Sequence, residues 1–148
     1  MKVNECMCTD VYSANPETTI YDVVKIMQDR HVGCVPICDK QNCIVGLVTD
    51  RDILLRGVAC DKDTKTTPIS EIMTSNVCCC NAEDEVYQVE NKMSEHQIRR
   101  IPVIENNKVV GILTMGDLAH CDKQLGKQEV CTTIENICSC EGKVKNCC

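Results

Sequence analysis

The sequence predicts a mixed α/β protein in which one strand–helix–strand–strand–helix unit occurs twice in a chain of 148 residues. A repeated motif is the first reason: "GLVTDRD" (46–52) and "GILTMGD" (111–117) are nearly the same and lie 65 residues apart. The second reason is that longer segments around the two motifs align with each other. The third is the order of hydrophobic patterns, because in each copy a helical stripe is followed by two runs rich in β-branched residues.

The repeat extends well beyond the motif. At an offset of 66 the identical pairs are Met7/Met73, Val11/Val77, Asn15/Asn81, Glu17/Glu83, Tyr21/Tyr87, Val23/Val89, Met27/Met93 and Pro36/Pro102. A hairpin turn that is one residue shorter in the second copy changes the offset to 65, which then pairs Gly46/Gly111, Thr49/Thr114 and Asp52/Asp117. The chain is therefore an internal duplication. We expect one motif over residues 1–66, a second over 67–125, and a cysteine-rich tail over 126–148.

The first helix of each copy is predicted from the spacing of its apolar residues. In the first copy these residues are Ile20, Val23, Val24 and Met27. They fall at the spacing of one buried helical face, and Thr19 before them is suited to be the N-cap. The second copy has Glu90 where Val24 stands, so we expect its apolar stripe to be narrower.

Strands are predicted on both sides of this helix. The pairs "CVPIC" with "CIVGLVT", and "RIPVI" with "KVVGILT", are rich in β-branched residues and are joined by polar turns. A short apolar stretch, at Val11 in one copy and Val77 in the other, is expected to form the opening strand. A second helix is expected to begin near Asp52 or Asp117.

Composition and charge exclude several classes of function. The net charge of -6 argues against a nucleic-acid partner, since such proteins carry a basic face that neutralises phosphates. No segment has the length and hydrophobicity of a membrane span, and the first residues lack the apolar stretch of a signal peptide, so we expect a cytoplasmic location. The three histidines have no evident nucleophile as a partner, and no glycine-rich phosphate loop is present, so we do not expect an enzyme.

The repeated Thr-x-x-Asp has chemistry suited to a ribose. An Asp carboxylate accepts hydrogen bonds from two neighbouring hydroxyls, and a Thr hydroxyl can donate to a phosphate or ribose oxygen. The alternative is that Thr and Asp only cap the helix that follows, which is common wherever a strand leads into a helix. For a single Thr-x-x-Asp, helix capping alone would be the better explanation. The presence of two such motifs in matching sequence surroundings favours a ligand site. Capping and ligand contact are compatible.

With these motifs the chain resembles a pair of cystathionine-β-synthase (CBS) domains, over about residues 7 to 120. The resemblance is carried by an apolar residue before Pro, a polar hairpin, and Gly followed by Thr-x-x-Asp, all present twice. It implies two β-α-β-β-α motifs packed through their sheets about a pseudo-twofold axis, with two equivalent clefts. Modules of this family usually sense AMP, ADP, ATP or S-adenosylmethionine and are not catalysts. They commonly form homodimers through their helices.

By resemblance, one cleft would contain Thr49, Asp52, Val77, Cys78, Arg99 and Arg100. In this cleft the aspartate would hold the ribose, the backbone near Val77 and Cys78 would meet adenine, and the two arginines would reach the phosphates. Arg51 is a further candidate for phosphate contact, although a place on the helix surface suits it equally well. The alternative for the arginine pair is solvated surface charge, the commoner fate of arginine. Neighbouring residues in a strand point to opposite faces, so we expect one of the two to face the cleft.

The second cleft would contain Thr114, Asp117, Val11, Tyr12 and Cys34. It has no cations comparable with the arginine pair of the first. We therefore expect the two clefts to differ in their preference for phosphorylated ligands.

Fifteen cysteines suggest a second class of function. Cys34 and Cys38 flank Pro36 in a strand, where core packing is the ordinary role of a small thiol. The tail is different, because it spaces Cys131, Cys138, Cys140, Cys147 and Cys148 as C-x6-C-x-C-x6-C-C outside the repeat. Closely spaced thiolates bind soft metals or respond to oxidation. This spacing lacks the C-x2-C pair of common zinc sites, and no histidine lies nearby.

The sequence as a whole therefore predicts a regulatory module that binds an adenosine-containing ligand and needs no cofactor. It would regulate a partner protein by associating with it, and the sequence does not identify that partner. A thiol-based metal-binding or redox-responsive protein is the alternative.

Overall fold

The computed structural model describes residues 1–125 and 127–138, and it contains the predicted mixture of helices and strands. In chain order the elements are α1 (Ile20–Arg30), β1 (Cys34–Cys38), β2 (Ile44–Thr49), α2 (Asp50–Asp52), β3 (Cys80–Asn81), α3 (Val86–His96), β4 (Arg100–Glu105), β5 (Lys108–Thr114), α4 (Met115–Leu125) and α5 (Lys127–Cys138). A π-helical segment, Ile53–Val58, follows α2 directly. Short 3-10 turns lie at Val3–Glu5 and Ile69–Glu71.

The described residues form two compact units. Of the described residues, the first unit comprises 12–77, and the second comprises 1–11 together with those between 78 and 138. The N-terminal segment thus packs with the second copy of the repeat. Its backbone is fixed there by hydrogen bonds such as Val3 N–H to the Asp84 carbonyl at 3.0 Å.

In the first unit, β1 and β2 form an antiparallel hairpin that pairs Cys34 with Thr49. A parallel bridge between Ala14 and Ile37 stands where a third strand would be. The hydrophobic core beneath α1 includes Ile20, Val23, Val35, Val48 and Ile69. Ile20 and Val23 recur at the helical spacing that the sequence predicts for α1, and every residue of β1 is buried.

The second unit repeats this arrangement with a complete third strand. β4 and β5 are antiparallel, and β3 pairs parallel to β4 through Cys80 and Val103. This pair is equivalent to Ala14 and Ile37 at the offset of 66. The opening strand, expected from the apolar stretch at Val11 and Val77, pairs with its neighbour only from Ala14 and Cys80 and is therefore shorter than predicted.

The turns explain several of the polar residues between elements. Asn106 and Asn107 both have positive φ, 49° and 64°, which is the geometry of the two-residue turn that fits the twist of a hairpin. His31 and Gln97, at equivalent positions of the two copies, also have positive φ and end α1 and α3. A left-handed residue of this kind closes the helix by satisfying its last carbonyls.

Helix α1 begins as predicted but buries fewer residues. The Thr19 hydroxyl oxygen accepts from the Asp22 N–H at 3.2 Å, which confirms the N-cap. Val24 was expected on the buried face, yet it is 37% exposed, because the face that packs on the core runs through Val23 and Met27. Its equivalent in α3, Glu90, is 5% exposed.

Helix α5 accounts for this difference between the copies. It packs against α3 and α4 in the second unit, and its Ile137 enters the core of that unit at 5% exposure. Glu90 lies with Thr132, Thr133 and Asn136 around a cavity of about 530 Å³ between α3 and α5. The first unit has no described counterpart of α5. Its exposed large apolar side chains are Tyr21, Val24, Leu54, Leu55 and Val58.

None of the helices within the described residues combines the length and hydrophobicity needed to cross a membrane.

Candidate functional site

The first Thr-x-x-Asp lies where β2 becomes α2. The Thr49 hydroxyl oxygen accepts from the Asp52 N–H at 3.2 Å, and Asp52 Oδ2 accepts from the Thr49 N–H at 3.0 Å. Each residue thus satisfies a backbone donor that the start of a helix leaves open. The Asp52 side chain is 19% exposed to solvent.

The second Thr-x-x-Asp has the same geometry at the start of α4. The Thr114 hydroxyl oxygen accepts from the Asp117 N–H at 3.2 Å, and Asp117 Oδ2 accepts from the Thr114 N–H at 2.8 Å. In addition, the Thr114 hydroxyl lies 2.6 Å from Asp117 Oδ2, where it donates to the carboxylate. Both copies therefore form reciprocal caps, which confirms the capping interpretation.

Capping leaves each carboxylate able to accept more hydrogen bonds. A carboxylate has about four acceptor sites, and the cap uses only Oδ2. The other oxygen of Asp52 lies 3.8 Å from an Arg56 guanidinium nitrogen. A diol that donates two hydrogen bonds is compatible with both carboxylates as the caps hold them.

Glycine in the repeated motif permits a close approach of the preceding segment. A Cβ at Gly111 would lie 2.5 Å from the Met7 sulfur and 3.1 Å from the Cys8 carbonyl oxygen. At Gly46 it would overlap the side chain of Met73, the equivalent of Met7. The glycine and the methionine of the repeat are thus one packing contact, formed once in each unit.

The strand register places two candidate residues beside the motif threonines. Arg100 is directly opposite Thr114, and Cys34 is directly opposite Thr49. Side chains that are opposite in an antiparallel pair point to the same face of the sheet. Arg99 is exposed, and Arg100 is half-buried, as expected for neighbours that face opposite ways.

The remaining arginines add one cation that the sequence did not indicate. Arg30 lies with its guanidinium carbon 4.0 Å from the centre of the Tyr12 ring, and its Nη1 donates to the Tyr12 hydroxyl at 3.1 Å. Arg30 is therefore a cation beside Tyr12, one of the residues that the sequence groups with Thr114 and Asp117. Arg30 ends α1, and nothing in its sequence context distinguishes it from a surface residue. Arg51, by contrast, is exposed on α2.

Arg56 is a second residue that the sequence did not single out. Its Nη1 donates to the Ile72 carbonyl at 3.1 Å and to the Thr74 hydroxyl at 3.2 Å. Together with the contact to Asp52, these bonds join the segment around Ile72 to the helix that carries the aspartate. The signal available in the sequence was the spacing, because Arg56 follows Asp52 by one helical turn.

The residues assigned to adenine are partly exposed. Val77 and Cys78, and their equivalents Val11 and Tyr12, are all half-buried. They precede Cys80 and Ala14, where pairing to β4 and β1 begins. Their main chain is therefore outside the ladders that β1–β2 and β4–β5 form.

Some cysteines of the described residues are buried in the two units. Cys34 and Cys38 are 6% and 4% exposed, which confirms core packing for both. Burial raises the pKa of Cys80 to about 12, so this residue is a neutral thiol at physiological pH. Burial also raises the pKa of Cys79, whose carbonyl accepts from Lys92 Nζ at 2.5 Å.

The tail cysteines can be followed only in part. Cys131 and Cys138 are exposed in the region of α5, whereas Cys140, Cys147 and Cys148 lie outside the described residues. Within residues 1–125 and 127–138, no group of three or more His, Cys, Asp or Glu residues is arranged to hold a metal ion.

Comparison with known proteins places the repeat in one family. The model of the CBS domain matches twice, over residues 3–58 and 69–123. The chain is 34% identical over 135 residues to CBS domain-containing protein YhcV of Bacillus subtilis, covering 91% of this chain and 94% of that protein. It is 30% identical over 135 residues to Hypoxic response protein 1 of Mycobacterium tuberculosis, covering 91% and 92%.

Solved structures give the same result. A crystal structure of Hypoxic Response Protein I with two coordinated zinc ions has a TM-score of 0.75 at 30% identity, over 81% of this chain and 98% of that one. The CBS domain pair of protein MJ0100, in complex with 5′-methylthioadenosine and S-adenosyl-L-methionine, has a TM-score of 0.74 at 28% identity, over 83% and 96%. The chain therefore belongs to the CBS domain family and consists of a tandem pair of CBS domains.

Proposed function

We propose that this protein is a regulatory module that binds adenosine-containing ligands through Asp52 and Asp117 and has no catalytic activity. One observation carries the proposal: the same Thr–Asp pair is held in the same reciprocal cap twice, with acceptor capacity left on each carboxylate. The similarity to MJ0100, a CBS pair that binds two adenosine derivatives, supports this ligand class.

The ribose is the part of the ligand that the aspartates would recognise. Its two neighbouring hydroxyls donate to one carboxylate, and hydrogen bonds to a charged acceptor are stronger than neutral ones. The backbone N–H groups of Thr49 and Thr114 hold the carboxylates in place through the cap, and the Thr114 hydroxyl also donates to Asp117. AMP, ADP, ATP and S-adenosylmethionine all contain this diol, so Asp52 and Asp117 do not distinguish among them.

Discrimination among these ligands would come from the arginines. Arg99 and Arg100 are the candidates for phosphate contact, in accordance with the resemblance to the family. Arg30, held over the Tyr12 ring, is a further cation that a phosphate would attract. We propose that the preference for phosphorylated ligands depends on these three side chains, and that Val77, Cys78, Val11 and Tyr12 contribute backbone contacts to adenine.

A thermal-shift panel tests the proposal. Ligand at 100 times its Kd stabilises a folded protein by about 2.7 kcal/mol, so a saturating binder raises the melting temperature measurably. The panel contains AMP, ADP, ATP, S-adenosylmethionine and 5′-methylthioadenosine, with inosine and ribose 5-phosphate as controls for the base and the sugar phosphate. A shift with at least one adenosine compound is expected. Equal melting temperatures throughout would contradict the proposal.

A thiol-based metal function is the second candidate. It is favoured by the similarity to Hypoxic Response Protein I, whose structure holds two zinc ions, and by the exposure of Cys131 and Cys138. Zinc belongs in the same panel for this reason. A shift with zinc that is lost in Cys131→Ser/Cys138→Ser, together with no shift for any adenosine compound, would favour this function over the first.

A further inference from the structure

The residue four positions after the motif aspartate connects two parts of each unit. In the first unit this residue is Arg56, which hydrogen-bonds the Ile72 carbonyl and the Thr74 hydroxyl. At the offset of 65 its equivalent in the second unit is Cys121. Position 72 corresponds to Cys6 at the offset of 66. The two residues joined in the first unit are therefore both cysteines in the second.

Cys6 and Cys121 form a disulfide in the structure. Their Cα atoms are 6.2 Å apart, although 115 residues separate them in sequence. The distance is within the range over which two cysteines can be bridged without movement of the backbone. The same two positions of the repeat are thus connected twice, by an arginine in the first unit and by a covalent bond in the second.

The disulfide holds the N-terminal segment against the elements that present Asp117. Cys6 Sγ lies 3.8 Å from the Asp117 carbonyl oxygen, and Cys121 follows Asp117 by one turn of α4. Two residues beyond Cys6, the backbone of Cys8 exchanges hydrogen bonds of 2.9 Å in both directions with Ile112 of β5. In the reduced state the Cys6 thiol can donate to the Asp117 carbonyl, whereas in the oxidised state its sulfur is bonded to α4.

We propose that the Cys6–Cys121 pair is a site of reversible oxidation by small-molecule disulfides, and that its redox state sets the ligand affinity at Asp117. The arginine in the first unit connects its segments in any redox state, whereas the cysteine pair forms a covalent connection only when oxidised. Loss of the bond releases a covalent restraint on the turn of α4 that orients the carboxylate. The redox site stands on its own geometry, while its effect on affinity rests on the proposed function.

The chemistry is thiol–disulfide exchange. Cys121 is the more accessible of the two, since Cys6 is 8% exposed, so the Cys121 thiolate attacks one sulfur of the small disulfide and releases the first thiol. The Cys6 thiolate then attacks Cys121 Sγ in the mixed disulfide and releases the second. Two protein thiols become one disulfide, one small disulfide becomes two thiols, and the two protons pass to the released thiols.

Peptide mapping tests the redox site in the full-length protein. The protein is equilibrated with glutathione buffers of increasing oxidised fraction, free thiols are alkylated, and peptides are identified by mass spectrometry. The peptide linked through Cys6 and Cys121 is expected to increase reversibly with the oxidised fraction. Amide hydrogen exchange at Met7 and Cys8 is expected to slow in parallel. Absence of the linked peptide at every ratio would overturn the proposal.

Calorimetry then tests the effect on affinity. Adenosine is titrated in reduced and oxidised buffer, in an Asp52→Asn background so that Asp117 reports alone. Oxidation is expected to tighten binding at least about fivefold, the lower end of typical coupling between sites. Equal affinity in the two buffers, with the linked peptide present, would overturn this part of the proposal.

Two variants serve as matched controls. Cys6→Ile carries the residue of the first unit at this position and cannot form the bond, so its affinity should equal the reduced value in both buffers. Cys121→Arg reproduces the connection made by Arg56, so its affinity should stay near the oxidised value in both buffers. If the linked peptide forms but adenosine binds in neither state, the nucleotide site is rejected and the redox site remains.

Discussion

Arg100 and Thr114 are directly opposite each other across the antiparallel pair of β4 and β5. Their side chains share one face of the sheet, so a phosphate near Arg100 would lie on the same face as the Thr114–Asp117 pair. The family resemblance instead assigns Arg99 and Arg100 to the ligand held by Asp52. The two assignments lead to different results in mutagenesis.

The first prediction concerns this choice. Arg99→Ala/Arg100→Ala should reduce the preference for ATP over adenosine, because contacts from arginine to phosphate are roughly twice as strong as neutral hydrogen bonds. The titrations are made at two salt concentrations, once with Asp52→Asn and once with Asp117→Asn. If the arginines contact the ligand of Asp52, the preference for ATP should decrease in the Asp117→Asn background. If they contact the ligand of Asp117, it should decrease in the Asp52→Asn background. An unchanged order of affinities in both would show that the pair is surface charge.

The second prediction concerns the glycines of the repeated motif. Gly111→Ala should destabilise the second unit by about 1–3 kcal/mol, the usual cost of overpacking, because its Cβ meets the Cys8 backbone as well as Met7. Gly46→Ala is the matched control. The three atoms nearest its Cβ all belong to the flexible side chain of Met73, which can move away, so its cost should be smaller. Urea unfolding measures both. A larger loss in Gly46→Ala would contradict the packing described.

The third prediction concerns assembly. The first unit exposes Leu54 and Val58, at 59% and 55%, one turn apart on the π-helical segment. Apolar groups exposed together favour association, and we expect a homodimer of about twice 16.5 kDa under reducing conditions. Leu54→Glu/Val58→Glu should sediment as a monomer, while Lys40→Glu in the exposed hairpin turn should not change the mass. A wild-type monomer at high concentration would contradict the prediction.

The fourth prediction concerns alkaline pH. Burial raises the pKa of Cys80 from 9.0 to about 12, so between these values the unfolded chain releases a proton that the folded chain retains. The contribution of this thiol to the free energy of unfolding is therefore fully present below pH 9. It decreases as the pH rises towards 12, by up to about 1.4 kcal/mol per pH unit. Urea titrations at pH 8 to 10.5 should show a steeper decrease for the wild type than for Cys80→Ala. Parallel curves would show that Cys80 ionises as readily in the folded protein as in the unfolded chain.

The strands, helices and helix caps could be predicted because the same sequence pattern occurs twice, and each copy supports the interpretation of the other. The strands around Pro36 and Pro102, the N-cap at Thr19 and the caps at both motif threonines follow from residues that are neighbours in sequence. The family and its mixed α/β fold followed from the same residues.

The features that could not be predicted from the sequence depend on contacts between residues far apart in the chain. The N-terminal segment joins the second unit through pairs such as Cys8 with Ile112. Glu90 is buried because α5, which has no counterpart in the repeat, packs over it. Fifteen cysteines allow so many pairings that no pattern selects Cys6 with Cys121. For the site, the sequence indicated the aspartates, while Arg30 and Arg56 were found only from their contacts.

Calorimetric titration of the aspartate variants with AMP is the most direct test of the central claim. Asn keeps an oxygen that can accept the threonine N–H, so Asp52→Asn and Asp117→Asn retain the caps but remove the charge. Each variant is expected to weaken binding at its own site by about 1.5–3 kcal/mol, the range for hydrogen bonds to a charged group. The double variant is expected to bind AMP about 10- to 150-fold more weakly at both sites, with an unchanged circular dichroism spectrum. Wild-type affinity in a folded double variant would contradict the account.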